Sequence, residues 1–463
     1  MLNKVLGLLF PTNYSKKSFD YLTNDPTTPN LVEKVKYPLI GNLRFEVKDL
    51  NFKPKNPNEK RSLNCFITIG NFLTYVQHSN RLPIKKWAAT DVLSINCLAG
   101  KDLNAFYDRR SLRFYYEKKG FKTIYMADSA DVVSHELGHA ILDAIRPDFW
   151  SVQSKEIWAF HEAFSDICSI VSIMQYEQIL QKAIEETNNN LLASNVISRL
   201  AEEVGIFVYE NYSKNNGYLT NALRDPAVEI FKYIKPENLP EDARNDQLSS
   251  ECHSYGRVFL SVWYNILCKI YAKEVEKNAP LTAIKNARDI SFLLLLQAIP
   301  VSPRVNNYHN AIAKCMVSIA KSKYADYAEI IENCFFEWNI LNKSVKMLSN
   351  TSKEEVIANL SRKDEVIKNK NSIMIKLTRQ KTIKIPNISI LSNEGSKDIE
   401  LEVAADQYYE FDKNGNLIDE IIPDQEEIAD SAVSCLSYIE KNKNIKNPMW
   451  TIQDGKLIRS YIS

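Results

Sequence analysis

Glycine is scarce in this chain. It supplies 12 of 463 residues, about a third of the usual share of roughly 7%. Collagen-like, glycine-rich and low-complexity architectures are therefore excluded. Charge of either sign is not in excess, since 58 Lys and Arg face 57 Asp and Glu. That balance gives no electrostatic case for a nucleic acid or an anionic membrane surface as partner. Long apolar runs are missing too. The longest, Ile290 to Pro300, has about half of the ~20 residues that a spanning helix needs, and contains Ser291 and Gln297. At the N-terminus, Val5 to Phe10 imitates a leader only weakly, because Pro11 ends it without a small-residue cleavage site. The eight cysteines stand singly, with no C-x-x-C. This usage predicts reduced, mostly buried thiols and a cytoplasmic protein.

What is present is an ordinary globular composition, 45% hydrophobic and 25% charged, long enough for a large core without staples. The alternation over Leu43 to Val47 predicts a strand, and residues 64–82 a helix. Residues 90–127 read as β-structure in the segments VLSINCL, LRFYYE and KTIYM. From Ser129 the period becomes helical and runs to Ile145, where Arg146-Pro147-Asp148 ends it. A second helix starts near Ser154 and continues past Met174. Residues 190–340 read as mostly helical, and 345–372 as a charged linker with a helix. Strands return after that, with Asn414-Gly415 and Asp454-Gly455 as hairpin turns. The fold class expected is α+β.

Histidine is also rare: six in the chain, at 78, 135, 139, 161, 253 and 309. Two of them form His135-Glu136-Leu137-Gly138-His139, an H-E-x-x-H sequence on a predicted helix. Chance gives this pattern in about 0.5% of such chains. Residues i and i+4 lie about 40° apart on a helix, so both imidazoles reach one metal ion. Glu136 lies about 60° from His139, where it reaches a water on that metal without replacing a ligand.

A catalytic zinc needs a third protein ligand and an open position. The helix EIWAFHEAFSDICSIVSIM is apolar on nearly every face, yet carries Glu162 and Asp166 at i and i+4. Two carboxylates in a core are costly unless compensated. Zinc on Glu162, with Asp166 accepting from a ligand imidazole, compensates both. His161 is a rival ligand, but points about 100° away from Glu162.

DVVSHELGHAILD followed by HEAFSD resembles the thermolysin-like gluzincin metallopeptidases, with their H-E-x-x-H and downstream E-A-x-S-D. Further segments match in the same order: Asn104-Ala105-Phe106, then Leu223-Arg224-Asp225-Pro226, then His253 in ECHSYGRVFLSVWYNI. The resemblance covers residues 64–340. It implies a two-lobed fold, with a β-containing lobe over 64–150 and a helical lobe over 151–345, while the sequence pattern outside it adds an extension over 1–63 and an α+β module over 346–463. It also implies that Asn104 and Ala105, on an edge strand, bind the substrate backbone and that Arg224 holds a substrate carbonyl. His253 then stabilises the oxyanion, and Val132 and Leu223 line an apolar specificity pocket. The chain departs from the pattern in two places. No oxyanion-assisting tyrosine is evident after H-E-x-x-H, where Pro147, Phe149 and Trp150 follow. For the acid that orients the late histidine, only Glu251 and Asp246 lie nearby.

The function expected is a zinc-dependent endopeptidase acting on a peptide or protein substrate, with His135, His139 and Glu162 as ligands and Glu136 as general base. The alternative is a catalytically weak, peptidase-like scaffold that binds a protein partner through residues 346–463. Calcium dependence is not expected, because Asp131 is accompanied downstream only by Glu177, Glu185 and Glu186.

Overall fold

The computed structural model describes residues 18–22, 24–36, 38, 41–78, 84–152, 154–212, 216–342, 348–361, 364–368, 372–388, 397–423, 428, 450–453 and 456–459. The fold is α+β. Its contacts divide the chain into two units. The first comprises residues 1–145 with 161–293, and the second 146–160 with 294–463.

In the first unit, strands β1 (Ser18–Leu22) and β2 (Val32–Lys36) form an antiparallel hairpin. A four-stranded sheet follows from β3 (Arg44–Val47), β4 (Val92–Asn96), β5 (Ala105–Tyr107) and β6 (Ser111–Phe114), in the order β3-β4-β6-β5. The β3-β4 and β4-β6 pairs are parallel, and β5 is the antiparallel edge. The alternation that predicted β3 is the one it uses, with Phe45 and Val47 buried and Glu46 exposed. Between β3 and β4 runs helix α1 (Pro57–His78), which starts earlier than apolar periodicity indicated. Its start is set by local chemistry: Asn56 Oδ1 accepts the Glu59 N–H at 3.0 Å, and Pro57 occupies the first helical position, where no N–H is needed. Strands β7 (Tyr116–Lys119) and β8 (Lys122–Tyr125) make a hairpin turned by Gly120, whose φ is +61°.

Helix α2 (Ala130–Ile145) ends where the sequence predicted, before Arg146-Pro147. Helix α3 (Lys155–Ile173) contributes its residues from His161 onward to this unit. Helices α4 (Glu177–Thr187), α5 (Glu202–Tyr212), α6 (Cys252–Val275) and the greater part of α7 (Pro280–Ala298) complete it. Phe292 of α7 sits at the centre of an aromatic cluster, 6.1 Å from Phe72 and 6.4 Å from Phe164 between ring centroids. Among the described residues no single helix is long and apolar enough to cross a membrane. The described cysteines are unbridged, and all but Cys252 are buried.

The second unit holds helices α8 (Tyr308–Lys323), α9 (Ala325–Glu337) and α10 (Lys353–Ala358) beside a six-stranded sheet. Its strands are β9 (Glu365–Lys368), β10 (Ser372–Ile388), β11 (Lys397–Asp412), β12 (Leu417–Ile421), β13 (Trp450–Gln453) and β14 (Lys456–Arg459). The spine is the long antiparallel β10-β11 pair. The expected turn at Asn414-Gly415 joins β11 to β12, with Gly415 at φ +89° and the Asp412 carboxylate accepting from the Asn414 and Asn416 N–H groups. Asp454-Gly455 lies outside the described residues.

The two units do not divide at 150 or 345, the boundaries expected. Polar contacts join the strands of the second unit to the helices before them. Ser318 Oγ donates to Glu410, Lys314 Nζ meets Asp419 at 2.8 Å, and Lys376 Nζ donates to the Pro300 carbonyl at 2.7 Å. Arg146, read from sequence only as part of a helix stop, is 3% exposed and organises the same region. It makes a two-pronged pair with Asp148, donates to the Ile299 and Ser302 carbonyls, and lies 3.4 Å from Asp406. Arg146→Ala takes from Asp148 its two-pronged partner and from Asp406 a buried positive neighbour. It should lower the stability of the second unit by about 3–5 kcal/mol, read from its urea unfolding midpoint.

Candidate metal centre

The centre depends on how closely two helices approach. Gly138 lies in the middle of α2, where a Cβ would stand 2.7 Å from the Ser165 Cα and 3.1 Å from the Cys168 Cβ of α3. No real side chain tolerates that distance, so the absence of one at Gly138 lets the helices touch. Ser169 Oγ fixes the contact by donating to the Asp131 carbonyl at 2.7 Å. Across it, His135 and His139 face Glu162.

The distances suit a shared ion. His135 Nε2 lies 3.3 Å from Glu162 Oε2, and His139 Nε2 lies 3.6 Å from Glu162 Oε1. One ligand atom from each of His135, His139 and Glu162 falls within 4.8 Å of the others. Tetrahedral ligands at about 2.0–2.2 Å from a metal lie about 3.3–3.6 Å apart. A further observation fits a cation here. Glu162 is 9% exposed, and its Oε2 has no hydrogen-bond partner although His135 Nε2 and His253 Nε2 lie 3.3 and 3.5 Å away, which suits a cation among these groups. His161, the rival, is fully buried and stacks its ring on His139 at 5.7 Å, outside this group.

Asp166, one turn beyond Glu162, accepts from His135 Nδ1 at 2.8 Å. That bond directs Nε2 towards the centre. The same carboxylate is gripped by Arg224, whose Nε and Nη2 both stand 2.7 Å away. The sequence reading gave Arg224 to the substrate, whereas here it is also the counter-ion of Asp166. Burial works to raise the Asp166 pKa, but Arg224 and His135 outweigh it and hold the carboxyl below its usual range. Burial disfavours charge on His135 as well, yet the carboxylates of Asp166 and Glu162 prevail and raise its pKa to about 9. His139 has no such carboxylate bond, and burial lowers it to about 3. Burial pushes Glu136 up to about 7, close to the value at which a carboxylate exchanges protons at neutral pH.

His253 enters from the first turn of α6, with Nε2 at 3.5 Å from Glu162 Oε2. The acid that orients it, left between Glu251 and Asp246 by the sequence, is Glu251. Its Oε1 lies 2.6 Å from His253 Nδ1, while its Oε2 caps α6 by accepting the Ser254 N–H at 3.0 Å. Asp246 instead pairs with Arg244. The Cys252 and Glu251 contacts raise the His253 pKa to about 11, so the ring is an imidazolium at neutral pH.

A cavity of ≈ 160 Å³ opens beside the centre. Its walls include Asn104, Ala105, Val132, Leu223, Glu136 and His253, so the expected substrate-side residues are brought together. Ala105 begins the edge strand β5, as expected. A more polar cleft of ≈ 490 Å³ is lined by Arg224, Glu251, His253 and Tyr218. The sequence offered no signal that would have drawn Tyr218 to this site.

Asp131 has acidic neighbours besides the downstream glutamates. Asp131 is buried, and one of its oxygens accepts the Ala201 N–H at 3.1 Å. Burial raises its pKa well above 3.8, helped by the charges of Asp25 and Glu202, which are themselves buried. These acids come from distant parts of the chain, so no local pattern pointed to them.

The chain matches no family model and no curated protein.

Two outcomes follow from this geometry. Gly138→Ala forces α3 off α2 and should cost about 1–3 kcal/mol, with weakened metal retention in dialysis. For Asp131 the folded-state pKa exceeds the unfolded one, so its proton contributes stability that is lost as the pH rises. Asp131→Asn should therefore raise the melting temperature at about pH 8 and give little gain near pH 4.

Proposed function

We propose that this chain is a zinc-dependent endopeptidase of the thermolysin-like gluzincin kind, with two catalytic lobes. The observation that carries the reading is the meeting of His135, His139 and Glu162 across one helix contact, with Asp166 holding His135. Two imidazoles and a carboxylate form the donor set of a hydrolytic zinc with one position open. Zinc bound there supplies an acidified water and a polarised scissile carbonyl.

The chain's own groups carry the remaining steps. Glu136 accepts the proton of the attacking water and returns it to the leaving amine, a role that suits a carboxyl poised near neutrality. His253, held as an imidazolium by Glu251, donates to the oxyanion. Ala105 on the edge strand and Asn104 just before it face an extended peptide, and Arg224 directs its carbonyl. The ≈ 160 Å³ cavity lined by Val132 and Leu223 is close to the size that admits a benzene ring, about 150 Å³. Cleavage before a bulky apolar residue follows from that fit.

The test is casein cleavage by the zinc-loaded chain. Glu136→Gln should lower kcat by at least about 10²-fold while leaving zinc bound, whereas Glu162→Ala should lose the metal. Full zinc occupancy in Glu162→Ala, or an active Glu136→Gln enzyme, would refute the assignment. The base must be ionised, so activity should fall as the pH drops through the Glu136 pKa. That point lies below 7 in the loaded protein, because a nearby cation favours the carboxylate.

A further inference from the structure

The polar cleft of ≈ 490 Å³ runs on from the apolar cavity, since Leu223, Arg224 and His253 stand in the walls of both. Its volume falls within the range of about 300–1,000 Å³ usual for ligand pockets. Two loop segments build its far end. The Asn245 N–H donates to the Asn216 carbonyl at 2.9 Å. Gly217, at φ +75°, lets the two backbones close, because a Cβ there would stand 2.7 Å from the Asp246 nitrogen. Arg257, 4% exposed, holds the second segment in place. It donates to the Asn245 and Gln247 carbonyls and pairs with Glu229 at 2.8 Å.

The uncommitted groups in these walls are donors. Arg244 gives Nε and Nη2 to Asp246 at 3.0 and 2.7 Å, which leaves Nη1 for another acceptor. That pair is open to water, with the side chains 55% and 47% exposed, so Asp246 holds the guanidinium only weakly. Tyr218 adds a phenol to the same walls. The two acids lining the cleft are already engaged. Glu251 holds His253 and caps α6, and Asp242 accepts the Ala243 N–H at 2.8 Å.

We propose that this cleft binds a carboxylate of the substrate, one residue beyond the side chain that fills the apolar cavity, and that Arg244 selects it. The carboxylate belongs either to an acidic side chain or to the free end of the leaving fragment. Both present the same pair of oxygens to a guanidinium. The assignment deepens the peptidase reading and rests on it. It separates the roles of two arginines. Arg224, turned onto Asp166, directs a backbone carbonyl, and Arg244 reads the charge beyond it. Because Arg244 is exposed, the selection weakens as salt is added.

The experiment compares three peptides that share one sequence up to a leucine placed after the scissile bond. The residue after the leucine is the last, and is glutamate with an amidated end, glutamine with a free end, or glutamine with an amidated end. At least one of the first two should exceed the third about tenfold in kcat/KM, the worth of one hydrogen bond to a charged group. Which of them does so identifies the source of the carboxylate. Arg244→Ala should bring the favoured peptide down to the level of the third, whose own cleavage stays as in wild type. Arg244→Glu should favour lysine in the last place instead. Equal kcat/KM for all three peptides in wild type, or a preference that survives Arg244→Ala, overturns the proposal. Failure of the peptidase reading looks different, because none of the peptides is then cleaved. Calorimetry of the three leaving dipeptides with the full-length chain decides the cleft in that case. Tighter binding of a carboxylate-bearing dipeptide, lost in Arg244→Ala, supports it, and equal affinities overturn it.

Discussion

The contact between α2 and α3 at Gly138 and Ser165 is the constraint on which the rest of the site depends. With no side chain at Gly138, two helix backbones come close enough for Glu162 to face the histidines of the neighbouring helix. Every later element of the site is referred to this contact. Asp166 reaches His135 because it lies one turn beyond Glu162 on the same face. His253 then meets Glu162 from a third helix.

So close an approach concentrates charge in a buried place. The first unit compensates it in a chain of pairs, in which Arg224 neutralises Asp166, Asp166 orients His135, and His135 faces Glu162. Glu162 Oε2 remains without a hydrogen bond, and the cation inferred for the site answers that cost. A few residues along α2, Asp131 lies among other buried acids, and burial raises its pKa instead. The two carboxyls show how burial acts with and without a positive partner: with one the carboxyl is held low, without one it is pushed up. In the second unit Arg146 is the positive partner of Asp148 and Asp406.

Much of the site was legible in the sequence because its parts are helical and close in the chain. The i, i+4 spacing of His135 and His139, and that of Glu162 and Asp166, fixes their shared faces before any tertiary contact forms. Helix ends were legible where proline or a capping side chain acts locally, as at Arg146-Pro147. The start of α1 was equally local, at Asn56-Pro57, where a cap and not apolar periodicity sets the boundary. The hairpin at Asn414-Gly415 likewise follows from two residues.

What the chain determined by itself is the local order: which residues share a helix face, where helices stop, and which donor types are available to a metal. Tertiary structure decided everything that joins distant segments. It chose Glu251 over Asp246 as the partner of His253, because the cap of α6 folds that carboxylate back onto the ring. It gave Arg224 to Asp166, buried Asp25 and Glu202 near Asp131, and tied the strands after residue 364 to the helices before them. The reason is physical. Helical spacing is a property of a few consecutive residues, whereas the partner of a buried charge is whichever opposite group packing brings within about 3–4 Å.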